Sequence, residues 1–278
     1  MAKDPAGKSR NILHTKKKHF RPHPKAEQII WGIHPVLEAL KACPQAIREI
    51  FVDKDKAGQR IEQILNLAQN NGIPVSAALN KAASGAKMPD KLSVHESSQG
   101  VSARINLPTL TLDKLLDKLQ HDSRPPLLLA LDSIQDPHNL GAIIRSGVAA
   151  GVNGIILPKD RSASITATVI KVSAGSVFHA DICLVTNLVS SFKVLKENGI
   201  WIFGTTKDAS RPVYETDLTV PACLVIGSEG RGLRHLVAEQ CDLNISIPMH
   251  SSLDSLNVSV AAGIILFEIV RQRSALDS

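Results

Sequence analysis

From residue 28 onward the chain alternates short apolar runs with stretches in which apolar residues recur every three or four positions. I-I-W (29–31) is a short apolar run, H-P-V-L-E-A-L (34–40) has helical spacing, and E-I-F-V-D (49–53) reads as a strand. Ile61, Ile64, Leu65 and Ala68 fall at i, i+3, i+4 and i+7, the stripe of an amphipathic helix that Asn70-Asn71-Gly72 ends. I-P-V (73–75) and G-V-S-A-R-I (100–105) add two strand candidates. Residues 28–105 are therefore expected to form a small α/β domain.

A linker is expected over residues 106–126. Leu112, Leu115, Leu116 and Leu119 mark a short helix in it, and H-D-S-R-P-P (121–126) breaks that helix. From 127 to 278 the pattern changes. Six runs, L-L-L-A-L-D (127–132), G-I-I-L-P (154–158), D-I-C-L-V (181–185), W-I-F-G-T (201–205), C-L-V-I-G-S (223–228) and L-N-I-S-I-P (243–248), alternate with helical segments, the last at 256–272. Several are apolar at successive positions, as parallel strands buried on both faces must be. A second α/β domain with a parallel sheet follows, without internal repeats.

Composition narrows the function. Aromatics are only 3% of the chain, which argues against a broad base-stacking surface. No apolar run reaches the roughly 20 residues that span a bilayer, and no apolar core follows the charged start of the chain, so neither a membrane segment nor a secretory signal is expected. Cys43, Cys183, Cys223 and Cys241 are scattered without zinc spacing, which predicts no metal and fits a reducing cytoplasm. The net charge of +6 is uneven: eight Lys/Arg against Asp4 give residues 1–26 a net +7 and leave residues 27–278 at −1. Residues 1–27 are expected to be a disordered basic arm, with Lys16, Lys17 and Lys18 in contact with RNA phosphates; a solubilising tail is the plain alternative.

Open parallel sheets bind ligands at the C-terminal ends of their strands. Small, polar and glycine residues cluster at four such ends: D-P-H-N-L-G-A-I-I-R-S (136–146), F-G-T-T-K-D (203–208), I-G-S-E-G-R-G-L (226–233) and I-P-M-H-S-S-L-D-S-L-N-V-S (247–259). Gly227, Gly230 and Gly232 match neither the dinucleotide nor the P-loop fingerprint, and alone they do no more than turn a tight corner. No G-x-S-x-G elbow is present, which disfavours a serine hydrolase.

Taken together, N-x-G-x-x-x-R (139–145), G-x-E-G-x-G (227–232) and S-L-N-x-S (255–259) resemble, in order, the three signature motifs of the SpoU family, ribose 2′-O-methyltransferases of the SPOUT superfamily. The resemblance spans residues 28 to 274. G-I-H-P-V-L-E-A-L and H-E-S-S-Q-G-V resemble the family's ribosomal-protein-like RNA-binding domain. L-D-S-I-Q-D-P-H-N-L-G, P-K-D-R-S and I-S-I-P-M resemble the members that methylate a guanosine of large-subunit (23S) rRNA. The basic arm and H-S-S-L-D before S-L-N depart from those members.

The resemblance implies a SPOUT-type trefoil-knotted C-terminal domain over 127–278 and a homodimer that binds S-adenosylmethionine. It implies RNA, as a 23S hairpin or a pre-ribosomal particle, as the partner. Gly204, Thr205, Ile226, Gly227, Ile247, Met249 and Leu256 would enclose the cofactor, and Asn139, Arg145, Glu229, Ser255 and Asn257 form the catalytic set. A guanidinium stays protonated, so Arg145 suits a clamp on the target phosphate that steadies the developing alkoxide. Glu229 either orients Arg145 or accepts the proton, and Asn139 and Asn257 fix these groups. The plain alternatives are that Asn139 caps the following helix and that Glu229 pairs with a surface cation. Lys159 and Arg161 are candidates for RNA phosphates or residues of a solvated loop. His138 and His250 are expected to be bystanders. A tRNA-directed relative and a catalytically silent RNA-binding assembly protein remain open; the full front domain favours rRNA over tRNA, and intact Arg145, Glu229 and Asn257 favour an enzyme.

Overall fold

The computed structural model describes residues 27–53, 56, 58–77, 99–120, 124–250 and 255–276. The basic arm, with Lys16, Lys17 and Lys18, lies outside the described residues. The front domain runs β1 (Gln28–Trp31), α1 (Ile33–Ala42), β2 (Ile47–Val52), α2 (Gln59–Asn70), β3 (Val75–Ala77) and β4 (Val101–Ile105). Its sheet has the order β1-β4-β2-β3, with β2 and β3 parallel and the other pairs antiparallel. The I-P-V strand expected at 73–75 is displaced to 75–77. Pro74 precedes it, and its carbonyl instead accepts a bond from the Ile50 amide at 2.9 Å.

The rest of the chain is α3 (Leu112–Leu119), β5 (Leu127–Leu131), α4 (Pro137–Ala149), β6 (Gly154–Pro158), α5 (Ala167–Val172), β7 (Ile182–Val185), α6 (Leu188–Glu197), β8 (Trp201–Thr205), β9 (Arg211–Pro212), β10 (Ala222–Ile226), α7 (His235–Glu239), β11 (Leu243–Ser246) and α8 (Val258–Ser274). Seven strands form one sheet in the order β7-β6-β5-β10-β8-β11-β9, and every pair in it is parallel. The two-residue β9 has no counterpart among the six expected strands. β10, which follows both in sequence, is inserted between β5 and β8.

Both faces of this sheet are covered, which explains the unbroken apolar runs. Leu127, Leu129 and Leu131 pack on the side of α4, α5 and α8, and Leu128 and Ala130 on the side of α3 and α6; β10 alternates in the same way. Leu115 of α3 is fully buried with Leu128, Ile156 and Cys183, so this helix is a packed part of the second layer. Caps set the helix starts. Asp136 accepts from the His138 amide at 2.9 Å and Pro137 opens α4; Asn257 accepts from the Ser259 amide at 2.9 Å and opens α8. These two starts bring α4 and α8 together with their N-termini at the strand ends.

The front domain is docked on the second. The Gln28 side-chain amide donates to the Ile165 carbonyl at 2.6 Å, His179 meets Glu38 at 3.1 Å, and the buried cluster runs without a break from Ile30 and Val36 to Val177 and Phe178.

Candidate active site at the strand ends

Beyond β10 the backbone turns back on itself. The Ser228 amide donates to the Gly232 carbonyl at 3.0 Å and the Gly232 amide to the Ser228 carbonyl at 2.9 Å, closing a loop with Glu229, Gly230 and Arg231 at its tip. Gly230 and Gly232 have φ of +79° and +65°, and a Cβ on Gly227 would overlap the backbone of Gly232. Turn geometry and close approach account for these three glycines, as the plain corner reading of the motif expected. Their effect is to hold Glu229 out at a fixed place.

Asp132, the last residue of the L-L-L-A-L-D run, ties that loop down. Its carboxylate is fully buried and accepts from the Arg234 amide at 2.9 Å and the Arg234 Nε at 2.7 Å. A buried carboxylate needs such partners, because an uncompensated charge in the interior is costly. The pattern of apolar positions did not single out Asp132 or Arg234. The available signal was a charged residue closing an otherwise wholly apolar strand.

Three of the five expected catalytic residues are joined. Asn139 is 7% exposed in the first turn of α4; its Nδ2 donates to Glu229 Oε2 at 3.0 Å and its Oδ1 accepts from Asn257 Nδ2 at 3.0 Å. One residue from each motif therefore enters a single hydrogen-bonded chain. This removes both plain alternatives: the α4 cap is Asp136, and Glu229 pairs with a buried amide. The other two residues stand apart. Arg145 is exposed, about 9 Å along α4 and a third of a turn around from Asn139, and it makes no hydrogen bond or ion pair with Glu229. Ser255 is exposed just before α8.

A cleft of ≈ 840 Å³ opens at this chain. It is bounded by residues 133–136, the start of α4 and the 228–234 loop, and Val258 also lines it. Asn139, Glu229 and Arg161 line it, together with Arg231 and Arg234, which the motif reading did not name. Two of its residues, Ser133 and Arg161, hold left-handed φ of 62° and 61°, a strained geometry for non-glycine residues that recurs at functional sites. Lys159 is exposed in the same loop as Arg161; His138 and His250 are exposed, with no side-chain hydrogen bond among the described residues.

The seven expected cofactor residues come from the ends of β8 and β10, the segment after β11 and the segment before α8. Gly204 and Thr205 end β8, Ile226 ends β10 and Gly227 follows it, Ile247 and Met249 follow β11, and Leu256 precedes α8. All but Leu256 lie at or just after the ends of three strands adjacent in the sheet. Ile226 and Gly204 are buried, Ile247 and Leu256 half-buried, and Met249 is 40% exposed. The Thr205 hydroxyl is committed to the Val225 carbonyl at 3.0 Å, so that residue offers its backbone. No Cβ fits at Gly204, where it would overlap Asn244 Oδ1, and the strand end stays narrow. Bare backbone beside half-covered apolar side chains is the lining that a flat heteroaromatic group such as adenine requires, so the residues present fit a nucleoside-bearing cofactor.

None of the cysteines lines the cleft. Burial, reinforced by Asp113, pushes the Cys183 thiol up to about 11, and burial raises Cys43 and Cys223 as well. Among the described residues no group of three His, Cys, Asp or Glu is placed to hold a metal, and no helix is long and apolar enough to cross a membrane.

Fold and site together define a two-domain α/β protein, with a small front domain packed on a parallel-sheet domain whose candidate site is built from loops at the strand ends. Residues 126–267 match the model of the SpoU rRNA Methylase family, and residues 29–110 match an RNA 2′-O ribose methyltransferase substrate-binding domain. The chain belongs to the SpoU rRNA methylase family. It is 42% identical over 248 residues (89% of this chain and 99% of the relative) to the 23S rRNA (guanosine-2′-O-)-methyltransferase RlmB of Photobacterium profundum. It is 41% identical over 251 residues (89% and 99%) to the protein of that name in Escherichia coli. Among solved structures it resembles the SpoU methyltransferase AviRb of Streptomyces viridochromogenes in complex with AdoMet, at a TM-score of 0.74 and 26% identity over 90% of this chain and 91% of that one.

Proposed function

We propose that this protein transfers a methyl group from S-adenosylmethionine to the ribose 2′-hydroxyl of a guanosine in 23S rRNA. The observation that carries the reading is the Asn257–Asn139–Glu229 chain, which unites the three motifs at the mouth of one cleft. The names of the 41–42% identical relatives and the AdoMet-bound neighbour support the substrate and the cofactor.

When bound, S-adenosylmethionine supplies an already activated methyl group, which leaves the protein to position the hydroxyl and ease its proton loss. Gly204, Thr205, Ile226, Gly227, Ile247, Met249 and Leu256 would hold it. Glu229 has only Oε2 engaged by Asn139, so Oε1 is the oxygen that accepts the ribose proton. Asn139, anchored through Asn257 to the start of α8, keeps that carboxylate aimed. Arg145, a fork of donors on the exposed side of α4, clamps the target phosphate and steadies the alkoxide, and Ser255 belongs to the third motif.

The working unit is a homodimer in the cytoplasm, where ribosomal RNA is found. Val260 and Phe267, 50% and 51% exposed on α8, supply an apolar stripe for a two-fold contact. Sedimentation at assay concentration is expected to give a dimer; a fully active monomer would refute that part. The reaction itself is tested by incubating the protein with methyl-labelled S-adenosylmethionine and a 23S rRNA transcript, then digesting to nucleosides. Label in 2′-O-methylguanosine is expected. Label in a methylated base, or none with properly folded protein, would overturn it.

A further inference from the structure

Two guanidinium groups in the cleft have no partner among the described residues, although their neighbours do. Arg234 is committed to buried Asp132. Of the acids, Asp136 caps α4 through the His138 amide and Glu229 is bonded to Asn139. Arg161 and Arg231 are exposed and make no ion pair or side-chain hydrogen bond to the described residues, yet both line the cleft. Each is held by its backbone. Arg231 sits between left-handed Gly230 and Gly232 in the loop closed by Ser228 and Gly232. Arg161 is itself left-handed, and the residues after it are pinned: the Ala163 amide and the Ser162 hydroxyl both donate to the Ile134 carbonyl, at 2.7 and 3.2 Å. Strain retained at an exposed arginine costs stability and gives no packing in return, which points to a role for that side chain.

Their placement in the sheet says what they would hold. Arg161 follows β6 and Arg231 follows β10, and these strands flank β5, whose end leads into Asn139. Two cations thus rise one strand to either side of the reacting centre, about 10 Å apart at the level of the sheet. Guanidinium forks match phosphate oxygens two at a time. We infer that Arg161 and Arg231 form a clamp that grips the phosphodiesters on the two sides of the target ribose. The inference rests on the function proposed above and names Arg231 as a positioning residue for that reaction. The clamp fixes one sugar over Glu229 without reading its base.

The test uses the full chain carrying Arg161→Ala, Arg231→Ala, both together, and Arg231→Lys, with an in vitro 23S rRNA transcript. Thermal melts establish that each variant is folded, which the exposure of both side chains favours. Each alanine variant is expected to raise the half-saturating RNA concentration about tenfold, the value of one hydrogen bond to a charged group. Each should also lower the log–log salt slope by about 0.7–0.9. Affinity for S-adenosylmethionine by calorimetry should stay within twofold. Arg231→Lys should recover the salt slope but only part of the half-saturation, because it restores a charge and not a fork. An unchanged RNA dependence and salt slope in both alanine variants would overturn the clamp. So would a large loss of cofactor affinity in Arg231→Ala, which would move that guanidinium to the cofactor's carboxylate. Either result leaves wild-type methylation intact, whereas a wild-type protein that forms no 2′-O-methyl product defeats the functional reading itself.

Discussion

Each end of the Asn139 side-chain amide is committed, one to Glu229 and the other to Asn257, so removing it frees two motifs at once. Asn139→Ala is expected to lower single-turnover methylation on the order of 100-fold while cofactor affinity changes little, since Asn139 is not one of the residues that would hold the cofactor. Activity within a few-fold of wild type would remove the chain from the mechanism. Arg145→Ala makes a separate test: cofactor binding should persist and turnover fall by a similar factor, and near-normal single-turnover rates would dismiss the clamp on the target phosphate. At this scale the motifs made Asn139, Glu229 and Asn257 legible, because their residue types and spacings are specific to one chemistry. Asp132, Arg231 and Arg234 were not legible. Asp132 belongs by pattern to its strand, and its partner lies 102 residues away, a distance that no periodicity spans.

The elements were legible where one rule governs them. β5 and β10 are buried on both faces, so every position is apolar, and α2 shows its stripe because only one face is covered. Where two rules compete the reading slipped. Pro74 lacks an amide proton and shifted β3 by two residues, and β9 is two residues long, too short to show any period. The insertion of β10 between β5 and β8 is set by the whole chain path, and adjacent apolar strands carry no mark of their order. The 227–232 loop gives the prediction that belongs here. Gly227→Ala forces a Cβ into the Gly232 backbone, so the Ser228–Gly232 pairing must open and release Glu229. The variant should lose methylation and melt at a lower temperature. Normal activity in Gly227→Ala would show that the closed loop is not what places the carboxylate.

The whole molecule is joined across its domains by Gln28 with Ile165 and Glu38 with His179, close to the loop that carries Arg161. Burial works to raise the Glu38 pKa, but hydrogen bonds from His179 and Lys41 outweigh it and hold the carboxyl below its usual value. A depressed carboxylate contributes stability above the usual Glu range near ~4.3 and loses it as the pH falls through its lowered value. The melting-temperature gap between wild type and Glu38→Gln should therefore be full at neutral pH and close in the acid range. A gap that persists there would assign it to packing. The +7 carried by residues 1–26 makes a second expectation at this scale: removing them should flatten the salt dependence of RNA binding, by at most about 5–6 in log–log slope, without changing the methylated nucleotide. An unaltered slope would exclude a tethering arm. The central claim, 2′-O-methylation of one guanosine in large-subunit rRNA, is met most directly in the cell. Mapping 2′-O-methyl positions across total rRNA, with and without the gene, should show one guanosine of 23S rRNA losing its mark. An unchanged 23S map, or a mark lost from tRNA instead, would contradict it.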